Sequence, residues 1–387
     1  MWGIDVIYLD NAATSFPKPP EVAEAILEFL THKAGNPGRS GHSLALAADA
    51  VVAETRRSLA SLLGIRDPSR LAFTLNATDA LNLAMYGLLR PGDRVVTTSM
   101  EHNAVARPLF ALAERGVEVV RLPCAPDGSL DLDDLDRELR SAPTRLVAMT
   151  HASNVCGTIM PISAAAELAH RHGALLLVDA AQTAGVLPID VTEQSIDLLA
   201  FPGHKGLLGP TGTGGLYVAP GVHLTPMRQG GTGTNSELLS QPDEMPYALE
   251  PGTMNTVGIA GLGAALRVLK ATGIETVRAR EAALGARLLA GLQEIRGVTI
   301  HGLRDSTQRV AVVSVTLQGW EPVDVGAALD SAFGIAVRPG LHCAPLAHST
   351  LGTFPLGTVR LAPGYSTTDE EIDQTLVALR ELSLSAG

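Results

Sequence analysis

Leu146-Val147-Ala148-Met149-Thr150, a helical pattern over 162–172 stopped by Gly173, and then Ala174-Leu175-Leu176-Leu177-Val178-Asp179: this stretch decides the fold. Both apolar runs have strand length, and neither alternates with polar residues. A strand wet on one face alternates, whereas a strand covered on both faces reads as a continuous apolar run. Strand, helix and strand in succession then form a crossover unit of a parallel sheet. Outward from this unit the same rhythm continues. Strands over 94–98 and 117–122 and helices over 104–115 and 132–139 precede it, and Leu198-Leu199-Ala200 comes after it as a further strand. The fold class is α/β, a mostly parallel sheet with helices on both faces.

Past a helix that starts near Thr256, the chain predicts strands over 310–317 and 335–337. Helices are expected over 323–333 and 369–382, the last capped by Thr368. This second group reads as a smaller α/β domain. The expected division is a large domain over 18–259 and a small one formed by 1–17 with 260–387.

Composition narrows the function classes. A chain of 387 residues with 46% hydrophobic and 18% charged side chains has ample core material, which excludes a disordered protein. A net charge of −11 argues against nucleic acid or an anionic membrane as the main partner. The three cysteines show no CxxC and no metal-ligand spacing, so neither a disulfide framework nor a bound metal is expected, and a reduced compartment fits. Met1-Trp2-Gly3-Ile4-Asp5-Val6 lacks the basic and apolar regions of a secretory leader, and no apolar run reaches membrane-spanning length. The expectation is a soluble, cytoplasmic protein.

In a parallel sheet, ligands bind beyond the carboxyl ends of the strands. Asp179 ends one strand, His102 and Asn154 come after two others, and Lys205 comes after the fourth within Gly203-His204-Lys205-Gly206. Taken singly, such an aspartate is a cap and such a lysine is a solvated loop residue. Together they meet the needs of a pyridoxal phosphate site, namely a lysine for the Schiff base and a carboxylate for the ring nitrogen. The phosphate needs a helix N-terminus, and Asn76-Ala77-Thr78-Asp79-Ala80-Leu81 opens one. His102 is placed to cover the ring face.

These residues lie within motifs that resemble the cysteine desulfurase and selenocysteine lyase family, part of the class V aminotransferase group with fold type I. The motifs are Tyr8-Leu9-Asp10-Asn11-Ala12-Ala13-Thr14, Glu101-His102-Asn103, Ser153-Asn154-Val155-Cys156-Gly157-Thr158 and Val178-Asp179-Ala180-Ala181-Gln182. They continue in His204-Lys205-Gly206-Leu207-Leu208-Gly209-Pro210-Thr211-Gly212, Arg338-Pro339-Gly340-Leu341-His342-Cys343-Ala344-Pro345 and Thr358-Val359-Arg360. The resemblance implies that Lys205 carries the cofactor and moves the substrate Cα proton, while Asp179 pairs with the ring nitrogen. By the same resemblance Gln182 bonds the ring hydroxyl oxygen, His102 stacks on the ring and Asn154 lines the pocket. Thr78 and His204 hold the phosphate, and Arg360 takes the substrate carboxylate. Thr253 resembles a residue that reaches the phosphate of a partner subunit, which implies a homodimer.

Cys343 sits in a polar loop between Gly340 and Pro345, next to His342 and near Arg338. A thiol so placed is exposed and biased toward the nucleophilic thiolate, and it coincides with the family's persulfide-forming cysteine. Cys124 and Cys156 read instead as buried small hydrophobes. The implied reaction turns L-cysteine into L-alanine and passes sulfur through Cys343 to a protein or small-thiol acceptor. A selenocysteine lyase acting on L-selenocysteine, a class V aminotransferase or C–S lyase with Cys343 incidental, and a non-catalytic cofactor-bound scaffold are the alternatives. Two positions depart from the family pattern. Pro202 replaces a serine three residues before Lys205, and Ala77 replaces a threonine at the helix start.

Overall fold

The computed structural model describes residues 6–38, 41–233 and 237–385. Met1–Asp5, on which the leader expectation rests, lie outside the described residues. In chain order the elements begin with β1 (Ile7–Tyr8), α1 (Pro20–His32), α2 (Ser43–Leu62), β2 (Leu71–Thr74) and α3 (Ala77–Leu88). Next come β3 (Arg94–Thr98), α4 (Asn103–Ala113), β4 (Glu118–Leu122), α5 (Leu132–Ser141), β5 (Leu146–Thr150), α6 (Ile162–Arg171), β6 (Leu175–Asp179), β7 (Leu198–Pro202) and β8 (Gly214–Val218). Among the described residues these strands make a sheet in the order β2-β8-β7-β6-β5-β3-β4. Its β4, β3, β5, β6 and β7 run parallel. Only β8 runs against its neighbours, β7 and β2.

The continuous apolar runs have a direct cause in the packing. Val147, Met149, Leu176, Val178, Leu199 and Phe201 enter one core, shared with α2, α5, α6 and α7 (Thr256–Thr272). The alternate residues Leu146, Ala148, Leu177, Leu198 and Ala200 enter a second core under α3 and α4. Both faces are dry over these central runs, so their successive positions are apolar until the carboxyl ends, where Thr150 and Asp179 stand.

The rest of the chain supplies α8 (Ile274–Gln293), β9 (Val298–His301), β10 (Val313–Leu317), α9 (Pro322–Phe333) and β11 (Ile335–Ala336). It closes with β12 (Arg338–Gly340), α10 (Pro345–Thr350), β13 (Thr358–Leu361) and α11 (Asp369–Leu384). An antiparallel sheet in the order β12-β13-β10-β9 packs its core against α8, α9 and α11. Thr368 and Glu371 close a reciprocal cap at the start of α11: the Thr368 hydroxyl accepts from Glu371 N–H at 3.2 Å, and the Glu371 carboxylate accepts from Thr368 N–H at 2.7 Å. The division expected between 259 and 260 falls inside α7. Ile259, Leu262, Leu266 and Leu269 of that helix all belong to the first core, and the chain turns at Gly273, where φ is +83°.

The strand expected from 310 begins only at Val313. Its first residues serve as a seam: Val310 N–H donates to Gly157 O at 2.9 Å, and Thr158 bridges Arg309. The loop after β5, which carries Asn154, is thereby tied to the smaller body. Among the described residues no single helix is long and apolar enough to cross a membrane.

Candidate active site

Asp179 is the last residue of β6, and Lys205 stands three residues beyond the end of neighbouring β7. One cavity at these strand ends is lined by both, together with Thr78, His102, Asn154, Gln182 and His204. Seven of the ten residues expected at the site therefore face one space. His102 caps α4, its Nδ1 accepting from Ala104 N–H at 3.0 Å, so a neutral ring carries its proton on Nε2. Gln182 is steadied by donating from Nε2 to Ala12 O at 3.1 Å.

The electrostatics have their origin in burial. Loss of hydration pushes the Lys205 amine down to about 8; the Asp179 charge opposes this, while Arg360 and Arg338 reinforce it. Asp179, only 3% exposed, is pushed up by burial against an Ala181 N–H bond of 2.9 Å and the Lys205 charge. Burial, with help from Lys205, lowers both His102 and His204 to about 4, so both rings are neutral near pH 7.

The cavity offers partners for a phosphate-bearing aromatic ring. His204 Nδ1 is buried with no hydrogen-bond partner among the described residues. Asn76 caps α3 by accepting from Asp79 N–H at 2.9 Å, and the N–H groups at N1 and N2, those of Ala77 and Thr78, have no partner within the helix. Asp179 presents a desolvated carboxylate suited to a ring cation. Pro202 lines the wall without a hydroxyl, and Ala77 is buried at the first helical position. The residues present fit pyridoxal phosphate.

Arg360, the third residue of β13, is 1% exposed. It donates to Asp10 Oδ1 at 2.6 Å and to Asn154 O at 3.1 Å, and its Nε remains without a partner among the described residues. The guanidinium is thus fixed by protein contacts on two nitrogens, with donor capacity left over. Asn154 in turn donates to His342 O at 2.7 Å, joining the loop after β5 to the cysteine loop.

Cys343 is exposed, and Arg338 Nη2 donates to its Sγ at 3.4 Å. Cys343 O accepts from Asn103 N–H at 2.8 Å, which seats the loop on the start of α4. The thiol lines an open cleft with His102, Thr78 and Ala104, the same residues that wall the Lys205 cavity. His342 and Cys343 both have positive φ, +49° and +56°. Two consecutive non-glycine residues in that region store strain of roughly 1–3 kcal/mol each. The loop is held, not relaxed.

Thr253 does not join the Lys205 cavity. It is exposed and lines a neighbouring one with Asp79 and Arg228, which are themselves paired at 3.2 Å. Cys156 is fully buried with Sγ 3.2 Å from Thr158 Oγ1, and burial pushes the half-buried Cys124 thiol up to about 11. Cys156 matches the reading of a buried hydrophobe, whereas Cys124 packs against the core only in part. Two carboxylates carried no role in the sequence reading. Asp10 holds Arg360. Glu101 lies under the site 1% exposed, accepting from Thr98 Oγ1 at 2.6 Å and Thr150 N–H at 3.1 Å, and burial pushes it up to about 8. Nothing separates either from an ordinary loop acid in sequence, because their partners lie on strands.

The family model for class-V aminotransferases matches residues 7–375. The chain belongs to that family. A probable cysteine desulfurase of Methanothermobacter thermautotrophicus is 35% identical over 386 residues, spanning 98% of this chain and 95% of that protein. A cysteine desulfurase of Escherichia coli O8 is 35% identical over 395 residues, spanning 100% and 95%. Among solved structures, the apo cysteine desulfurase of Thermococcus onnurineus NA1 superposes with a TM-score of 0.92 at 34% identity, covering 98% of this chain and 95% of that one. An Escherichia coli cysteine desulfurase in an S-sulfonic acid form gives 0.87 at 30% identity, with the same coverage. Within this class-V aminotransferase chain, a mostly parallel sheet places the lysine, the aspartate and the thiol cleft around one set of strand ends.

Proposed function

We propose that this chain is a cysteine desulfurase that converts L-cysteine to L-alanine and keeps the sulfur on Cys343 as a persulfide, for a protein or small-thiol acceptor. One observation carries the reading: an exposed thiol under an arginine opens onto the same His102 wall as the buried Lys205. A C–S lyase with an incidental thiol has no use for that arrangement.

Pyridoxal phosphate, when bound, supplies an electron sink that weakens first the substrate Cα–H bond and then its Cβ–S bond. Lys205, Asp179, Gln182, His102, His204 and Thr78 would hold it. Asp179 supplies the negative charge that keeps a ring cation in place inside the sheet. Lys205, lowered to about 8, is poised to take up and return a proton near neutral pH. Arg360, immobilised by Asp10, offers its remaining donors to the substrate carboxylate without ordering a long side chain at that moment. Asn154 keeps that arginine and the cysteine loop in register. Cys343 Sγ attacks the substrate sulfur: an S–S bond forms, the Cβ–S bond breaks, and its electron pair with one proton ends in the alanine methyl group. The persulfide keeps one hydrogen, and no outside oxidant or reductant is consumed.

Incubation with L-cysteine in the absence of an acceptor is expected to leave one extra sulfur atom on the peptide that holds Cys343, read by mass spectrometry. Alanine accumulating with no sulfur at Cys343, or with sulfur at Cys124, overturns the reading.

The working unit we propose is a homodimer in a reduced compartment. Thr253 supports it, exposed beside Asp79 on the helix whose first turn opens into the Lys205 cavity. Thr253→Ala is expected to weaken cofactor retention, and dilution to monomer to release cofactor. A monomer that keeps its full cofactor absorbance contradicts this.

A further inference from the structure

His342 and His348 are both buried, 3% and 0% exposed, with ring centroids 5.2 Å apart. With both rings neutral, their hydrogen bonds admit one arrangement. His342 Nε2 lies 2.9 Å from Arg338 O, and a carbonyl only accepts, so Nε2 carries the proton. His342 Nδ1 then holds a lone pair and accepts from His348 Nε2–H at 3.2 Å. His348 Nδ1 is left as an acceptor, and Thr353 Oγ1 donates to it at 2.7 Å. Both rings are neutral in this scheme. Burial lowers His342 to about 3, with Arg360, Arg338 and His348 facing it, and lowers His348 to about 4, with His301 facing it.

The chain of donors runs from Thr353 through His348 and His342 to the carbonyl of Arg338. That same Arg338 returns its guanidinium to Cys343 Sγ, and His342 is the residue directly before the thiol. Its two ends therefore grip both sides of a loop that holds two consecutive left-handed residues. We propose that Thr353 and His348 are positioning residues that, through His342, hold the Cys343 thiol under Arg338. They act by fixing donor direction and carry no proton to substrate. The inference rests on Cys343 as the sulfur-accepting thiol, but it concerns what keeps that thiol in place.

Alkylation of Cys343 by iodoacetamide in the holoenzyme at pH 7, followed by peptide mass spectrometry, tests it. An arginine donor favours the thiolate. His348→Leu and Thr353→Val are therefore expected to slow alkylation at least about 5-fold. His348→Gln, which keeps one donor and one acceptor, is expected to stay within about 2-fold of the native rate. Cofactor absorbance should be unchanged in all three. If His348→Leu does not fold, Thr353→Val decides. Native alkylation rates in His348→Leu and Thr353→Val overturn the proposal, as does a His348→Gln protein that matches His348→Leu, since ring bulk would then suffice. Because the thiol itself is read, this result stands apart from the persulfide measurement.

Discussion

Cys343→Ala protein is expected to bind L-cysteine yet form alanine at least about 100-fold more slowly, a loss of ~2.7 kcal/mol of transition-state stabilisation. The thiol touches the substrate sulfur only in the transfer step, while Lys205, Asp179, His102 and Arg360 keep their positions without it. A group used only in the transition state lowers kcat and kcat/KM together, so KM should move little by comparison. Steady-state alanine formation measures this directly. L-Selenocysteine supplies an internal comparison, because selenium leaves more readily and needs less help from a protein nucleophile. Cys124→Ala and Cys156→Ala should stay near native rates, both sulfurs being outside the cleft. Sulfide release from L-cysteine at the native rate in the Cys343→Ala protein would favour direct elimination instead.

Lys205→Ala is expected to have the larger effect, with alanine formation falling on the order of 10⁴-fold, the upper range for loss of a positioned acid–base group. Borohydride should no longer fix pyridoxal phosphate to the chain, a loss visible by mass. The lowered pKa gives a second reading in the native protein. Attachment of the cofactor needs the neutral amine. Its rate in cofactor-free protein should therefore climb about tenfold per pH unit below pH 7 and flatten above about pH 9, as expected for a group titrating at about 8. An ordinary lysine would keep climbing to about pH 10, and that result would remove the assigned environment.

The legible parts of the large sheet share one cause: position relative to strands dry on both faces. The β5 and β6 runs announce themselves because alternate residues enter two different cores. Asp179, His102 and Lys205 are found by looking at, or just past, the carboxyl ends of such strands. β8 is hidden, since Gly214 and Gly215 mask its pattern. The reason is steric: a Cβ on Gly215 would stand 2.4 Å from the Phe201 ring, and one on Gly214 2.9 Å from the Asn76 backbone. Packing against neighbours distant in sequence chose those glycines. The exposure of Cys343 was readable from its loop composition, but the burial of His342 beside it was not. Nor was the pairing of Asp10 with Arg360, which depends on β13 and the N-terminal segment meeting in space.

That N-terminal segment also bears on the order in which the protein is built. Ile7 and Tyr8 pair with Ile335 and Ala336, Asp10 with Arg360, and Asn11 with Ala362. A few residues on, Thr14, Ser15 and Lys18 all donate to the carbonyl of His204, directly before Lys205. A nascent chain emerging at roughly 5–20 residues per second has therefore displayed β1 for about 15–65 s before the partner of that strand exists. Throughout that interval the lysine loop lacks its guanidinium neighbour and the thiol has not been synthesised. Sulfur chemistry consequently waits for the segment that runs from β11 to β13, and ribosome-bound fragments that contain Lys205 but end before Cys343 should form no persulfide.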